Sequence, residues 1–233
     1  MAEPIIQFQN VTKKYPGQEA LRNVSFTLPQ GKIIGLVGPN GSGKSTILKL
    51  TAGLVHPSSG SVQVNGREAN RRLASQVSYL SELDVLYPFY TVGETLQFSA
   101  GQFADFDWAK AQDMMNFLQL DPNKKVKSLS KGNRGRLKII LTLARRVPLV
   151  LMDEPLSGLD PIVRDSIIRS LISYLDLEQQ TVVITTHEVA EIEPLLDTVV
   201  AIQNGLVQGM AEVEDIRSNA GKSLLEWMKE TLN

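Results

Sequence analysis

Residues 38–45, Gly-Pro-Asn-Gly-Ser-Gly-Lys-Ser, fit the pattern G-x-x-x-x-G-K-[ST], a spacing suited to holding phosphate. Gly38, Gly41 and Gly43 let main-chain amides crowd an anion, and a helix starting at Lys44 adds the positive end of its dipole. Pro39, Asn40, Ser42 and Thr46 complete the cradle. In this pattern Lys44 reaches the β and γ phosphates of a nucleotide and the Ser45 hydroxyl ligates magnesium. Magnesium also needs a hard oxygen from the C-terminal end of a neighbouring strand. Asp153, closing the apolar run Leu149-Val-Leu-Met152, supplies one. The adjacent Glu154 is placed to polarise a water aimed at the γ phosphate. Taken alone, Asp153 and Glu154 would read equally well as charged caps on a buried strand; beside the glycine loop they read as the second half of a nucleotide site.

A second anion site lies in Leu129-Ser130-Lys131-Gly132-Asn133, where a serine hydroxyl and a glycine amide open a helical pattern running to Arg146. It has no phosphate-binding partner of its own in the chain, so it asks for a phosphate from elsewhere. The stretch resembles the L-S-G-G-Q signature of ATP-binding cassette (ABC) proteins. The likeness extends to Ser157-Gly158-Leu159-Asp160, similar to the D-loop, to His187, similar to the switch histidine, and to Tyr15, similar to the aromatic that stacks on adenine. The resemblance implies ATP and Mg2+ as cofactors, and hydrolysis of ATP to ADP and phosphate with Lys44, Glu154 and His187 as catalytic residues. It further implies head-to-tail pairing of two ATP-binding subunits, as homodimer or heterodimer, with the signature facing the partner's ATP. An integral membrane permease would be a separate chain, and the protein would lie on the cytoplasmic inner face of the membrane. Considered by themselves, Tyr15 also suits packing of the first strands and His187 a structural role.

Two positions depart from the family pattern. Glu82, after Val77-Ser-Tyr-Leu, stands where the family has a glutamine; it still offers a magnesium-facing oxygen alongside Ser45 and Asp153, but adds a charge. Lys131 and Asn133 replace a glycine and the glutamine of the signature. Both variants resemble those of compact bacterial exporters, which implies export. The alternative is a soluble ABC ATPase acting on DNA or the ribosome. Its support is a basic run without acids, Lys124, Lys125, Lys127, Lys131, Arg134, Arg136 and Lys138. No aromatics interleave with these charges, so a solvated helix face is favoured and no nucleic acid is expected.

These residues need a scaffold, and the chain spells one out. Eight of the 17 glycines fall between Gly31 and Gly66, marking where backbone turns or approaches something closely. Residues 5–9 and 24–28 read as strands of a small antiparallel layer, and 32–37 as a buried strand leading into the glycine loop and a helix through Leu50. After a strand at 77–80, residues 91–145 carry helical spacing. Strands return at 149–152, 181–185 and 198–202, separated by helical patterns at 161–175 and 188–196, and Asn204-Gly205 signals a hairpin. The fold class is therefore α/β: a P-loop NTPase core with a parallel sheet, an N-terminal antiparallel β layer and an inserted helical subdomain. One ABC ATP-binding domain is expected over 1–233, with core at about 1–87 and 146–233 and helices at about 88–145. Residues 222–232 read as a terminal amphipathic helix packed on the core or on a second subunit.

Composition narrows the rest. Lys+Arg 24 against Asp+Glu 25 leaves a net charge of -1, so phosphate recognition must be local rather than a bulk field. Without cysteine there is no disulfide, thiolate nucleophile or Cys-based metal site, and His56 and His187 alone cannot build a multi-histidine centre. The longest dense apolar run, 147–152, is far below the roughly 20 residues of a membrane span, which points to a soluble, intracellular chain.

Overall fold

The structure, a computed structural model, describes residues 4–187 and 189–232, with every side chain among them except those at 219 and 220. In chain order the elements begin β1 (Ile6–Tyr15), β2 (Gln18–Leu28), β3 (Ile33–Val37), α1 (Lys44–Thr51), β4 (Ser59–Val64), β5 (Arg67–Glu68) and β6 (Val77–Leu80). Three helices follow, α2 (Val92–Gln102), α3 (Trp108–Phe117) and α4 (Lys131–Leu143), before β7 (Leu149–Asp153). The remainder is α5 (Pro161–Tyr174), β8 (Thr181–Thr186), α6 (Val189–Ile192), β9 (Thr198–Gln203), β10 (Leu206–Glu212), α7 (Val213–Ala220) and α8 (Leu224–Leu232).

Two sheets result. An antiparallel layer runs β2-β1-β4-β5, and a larger sheet runs β10-β9-β3-β8-β7-β6, parallel throughout except for the edge strand β10. Strands β3, β7 and β8 are buried along their whole length, the pattern of a sheet covered on both faces. Their apolar side chains divide between two cores. Ile34, Leu36, Leu149, Leu151 and Val183 pack toward α1 and the antiparallel layer; Val37, Val150, Met152, Val182 and Ile184 pack toward α4 and α5. Each fully buried leucine or isoleucine contributes about 1.5–3 kcal/mol.

The α/β class, the antiparallel layer and the helices between β6 and β7 agree with the sequence. The first two strands run longer than the alternation suggests, to Tyr15 and from Gln18, because their pairing with each other and with β4 continues past the apolar residues. The helical pattern at 188–196 is broken. Residue 188, its expected start, lies outside the described residues; α6 ends at Ile192 and Pro194 turns 193–195 into a 3-10 turn. The expected neighbouring strand for Asp153 is also one step removed, since β8 lies between β3 and β7. Helix α1 bridges the gap by packing against β7. The terminal helix α8 docks on the core, with Leu224 buried and Trp227, Met228 and Leu232 packed behind it.

Candidate nucleotide site

Strand register lines up the ends of the central strands. Val37 pairs with Thr186, and Asp153 with Thr185, so the glycine loop, the acid and two threonines open onto one edge of the sheet. This is the carboxyl edge, where open α/β sheets hold ligands. Immediately after Val37 the chain turns at Gly38, with φ 148°, where a Cβ would stand 2.0 Å from the carbonyl oxygen of Ile202. Gly43, with φ 112°, would likewise place a Cβ 2.8 Å from the carbonyl of Ala20. Only glycine fits both the angle and the space.

Lys44 is the first residue of α1 and only 6% exposed. Its Nζ donates to the carbonyls of Gly38 at 2.8 Å and Pro39 at 3.2 Å and lies 3.8 Å from Glu154 Oε1. Burial lowers its pKa, against the opposing pull of Glu154 and Asp153. One residue on, Ser45 Oγ donates to Asp153 Oδ1 at 2.9 Å. Asp153 is itself held on two sides, by Thr185 Oγ1 at 2.8 Å and by Tyr79 Oη at 3.1 Å. Burial, then the Asp153 carboxylate, raises the Tyr79 pKa and keeps the phenol a donor.

Glu154 occupies the left-handed region, φ 49°, which is uncommon outside glycine and asparagine and marks a backbone held by its surroundings. Its amide donates to Thr185 Oγ1 at 3.0 Å and its Oε2 sits 2.8 Å from His187 Nδ1. Lys44, Glu154 and His187 thus form one contiguous cluster. A cavity of about 470 Å³ opens over it, lined by the glycine loop from Asn40 to Thr46, by Tyr15 and by Glu82, Glu154, Ser157 and His187. Tyr15 lines it as the last residue of β1, with Lys13 Nζ 4.9 Å from its ring centre.

The donor set fits a nucleotide with magnesium. Ser45 and Asp153 present adjacent hard oxygens, and Glu82 lines the same cavity. Ser42 lines the cavity, and its buried Oγ has no hydrogen-bond partner among the described residues.

The signature lies elsewhere. Ser130 Oγ accepts from the amide of Asn133 at 3.3 Å and so caps α4. Gly132 packs so closely on α5 that a Cβ would meet Val163 Cγ2 at 2.8 Å, and Asn133 Oδ1 accepts from Arg136 at 3.3 Å. Ser130, Gly132 and Asn133 are not among the residues lining the phosphate cavity. Lys131 is exposed and its Nζ rests against Gly158 in the loop after β7. Of that loop, Ser157 lines the cavity, Leu159 is buried, and Asp160 caps α5 by accepting from Val163 N at 3.0 Å.

Tyr79 and Thr185 were not singled out from the sequence. Each sits inside an apolar strand, and nothing but the register of β6, β7 and β8 tells which of their side chains meets Asp153.

Comparison with known proteins agrees with this geometry. A family model described as ABC transporter matches residues 21–157. An uncharacterized ABC transporter ATP-binding protein of Methanocaldococcus jannaschii is 34% identical over 220 residues, covering 92% of this chain and 80% of its own. A lantibiotic transport ATP-binding protein of Streptococcus pyogenes is 31% identical, covering 92% of this chain and 96% of its own. A solved ATP-binding subunit of an ABC transporter superposes with a TM-score of 0.84 at 27% identity, covering 97% of this chain and 99% of that one. A dimeric ATP-binding cassette bound to ADP and Pi has a TM-score of 0.78 at 24% identity, covering 89% and 98%, and speaks to the fold alone. With its glycine loop, buried acid pair and matching relatives, the chain belongs to the ABC transporter family as an ATP-binding, ATP-hydrolysing subunit.

Proposed function

We propose that two ATP-binding subunits pair head to tail around ATP and that their closing and opening drives a separate membrane permease in export. The observation that carries this reading is the distance of the signature from its own cavity: a capped helix N-terminus bearing Ser130, Lys131 and Gly132 stands outside the phosphate site, free to face the γ phosphate of another copy. In this reading Tyr15 stacks on adenine and residues 38–46 hold the phosphates. Ser45, Asp153 and Glu82 hold magnesium, which supplies charge neutralisation. Lys44 and His187 stabilise the γ phosphate, and Glu154 accepts a proton from the attacking water. The Ser157–Asp160 loop lies beside Glu154, where it can sense the partner subunit.

The permease would dock on the helical part, about 88–145, and its approach. There Tyr87, Phe89, Tyr90 and Phe98 form a cluster of contacting rings, three of them exposed, next to exposed Leu83 and Val85. Among the described residues no helix is long and apolar enough to cross a membrane; in this reading the pathway belongs to another chain, with this one at the inner face. A transport role is supported by the likeness to a lantibiotic transport ATP-binding protein. The side chains of three of the seven basic residues in the run hydrogen-bond within the chain. Arg136 bonds Ser166 and the Leu118 carbonyl, while Arg134 and Lys138 bond residues 82–84, which breaks the continuity of the run as a track for nucleic acid.

Extraction of the tagged protein from its native cells in mild detergent tests the reading. A polytopic membrane protein should co-purify in stoichiometric amount; nucleic acid or ribosomes without one would overturn the transport assignment.

A further inference from the structure

The segment after β6 has no regular structure until α2, yet it carries Glu82 to the phosphate cavity. Two side chains of α4, four residues apart and so on one helix face, hold it. Lys138 Nζ donates to the carbonyl oxygens of Glu82 and Leu83, each at 3.2 Å. Arg134 Nη1 meets Asp84 Oδ2 at 2.7 Å. Among the described residues, these are the hydrogen bonds that tie 82–86 to another element; the others are local, from Leu83 N to Ser81 Oγ and from Leu86 N to Asp84 Oδ1. The segment is otherwise loosely anchored, with Leu83 68% and Val85 67% exposed.

Charge points the same way. Glu82 and Glu154 line the phosphate cavity together with Lys44, and both also line a second cavity with Lys131, Arg134 and Lys138. Like-charged carboxylates in one site oppose each other unless a cation offsets them. Lys138 is half-buried; burial lowers its pKa, and the carboxylates of Asp84, Glu82 and Asp153 act against that shift. The two carbonyls that its Nζ reaches partly replace the water that burial removes.

We propose that Lys138 is a positioning residue: it clasps the backbone at Glu82 and Leu83 to α4, and its charge is what allows a glutamate rather than a neutral amide to stand at the phosphate cavity. The Arg134–Asp84 pair is the second anchor. The proposal rests on the assignment of this cavity to ATP and goes beyond it, since it makes positions 82 and 138 a coupled pair.

The test is a double-mutant cycle on the purified full chain: wild type, Lys138→Met, Glu82→Gln and the double variant, each read by ATPase kinetics and by amide hydrogen exchange of nucleotide-free protein. Lys138→Met should raise exchange in 81–90 while 139–152 stay protected. It should lower kcat about tenfold, with the KM for ATP changed less than about twofold. In the Glu82→Gln background the same substitution should cost less than about twofold in kcat, and Lys138→Arg should keep most of the wild-type rate. Equal losses of kcat in both backgrounds, or unchanged exchange at 81–90, would overturn the proposal. Lys138→Gln serves as the neutral variant if Lys138→Met does not fold, as judged by its melting curve. If the wild type hydrolyses no ATP, the ATP assignment of the cavity fails, and the exchange arm still decides the clasp.

Discussion

Lys44 and Glu154 show how a single residue's chemistry follows from its surroundings. Lys44 is buried and its charge is supported by two carbonyls and a carboxylate, so a phosphate arriving in the cavity meets a cation already desolvated and in place. Lys44→Ala should weaken ATP binding about tenfold or more; unchanged affinity in a nucleotide titration would count against the loop's role. Glu154 is turned into the cavity by its left-handed backbone and oriented by His187 and Thr185. Its amide isostere keeps the shape and loses the proton acceptor. Glu154→Gln should therefore retain ATP binding and accumulate a nucleotide-bound dimer by size exclusion, while turnover falls about 100-fold. Full turnover in that variant would remove Glu154 as the base.

Among the elements, the helices between β6 and β7 depend on their ends. Helix α2 starts with a reciprocal cap between Thr91 and Glu94, and α3 with Asp107 accepting from Lys110 N at 3.0 Å and pairing with Arg146 at 2.8 Å. The Lys110 amide, and then Arg146, hold the Asp107 carboxyl below its ordinary pKa, with burial opposing. A depressed folded pKa contributes stability above the unfolded value, about 3.9, and the contribution is lost as pH falls through the folded value. Asp107→Ala should cost about 1–2 kcal/mol at neutral pH. The gap between variant and wild type should narrow below about pH 4 in denaturant titrations, because protonation removes the same charge from the wild type. A gap that stays constant to pH 3 would mean that the carboxylate's charge contributes nothing at this helix end.

For the whole molecule, the proposed head-to-tail pairing requires the signature of one copy to meet the phosphates of another. A mixture of Lys44→Ala and Ser130→Arg proteins should then regain activity that neither has alone, up to about a quarter of the wild-type rate under random pairing, since half of the dimers carry one intact site of two. A mixture no more active than the average of its components would mean that each chain works by itself.

Much of the site is legible in the residues alone, because phosphate chemistry ties residue type to spacing. Glycine where φ is positive and a Cβ would strike backbone, lysine and serine at a helix start, and an acid pair ending an apolar strand leave marks in any order of reading. Strand and helix succession was equally readable from apolar period, save where Pro194 cut a helical pattern short and where pairing extended β1 and β2 past their apolar residues. Tertiary structure alone decided which residues support the site. That β8 stands between β3 and β7, that Tyr79 and Thr185 both reach Asp153, and that Lys138 clasps Glu82 are contacts between residues 32 to 74 positions apart for the side chains and across separate strands for the sheet. Local propensity carries no record of such contacts; they arise when sheet register and helix packing bring distant segments to one edge.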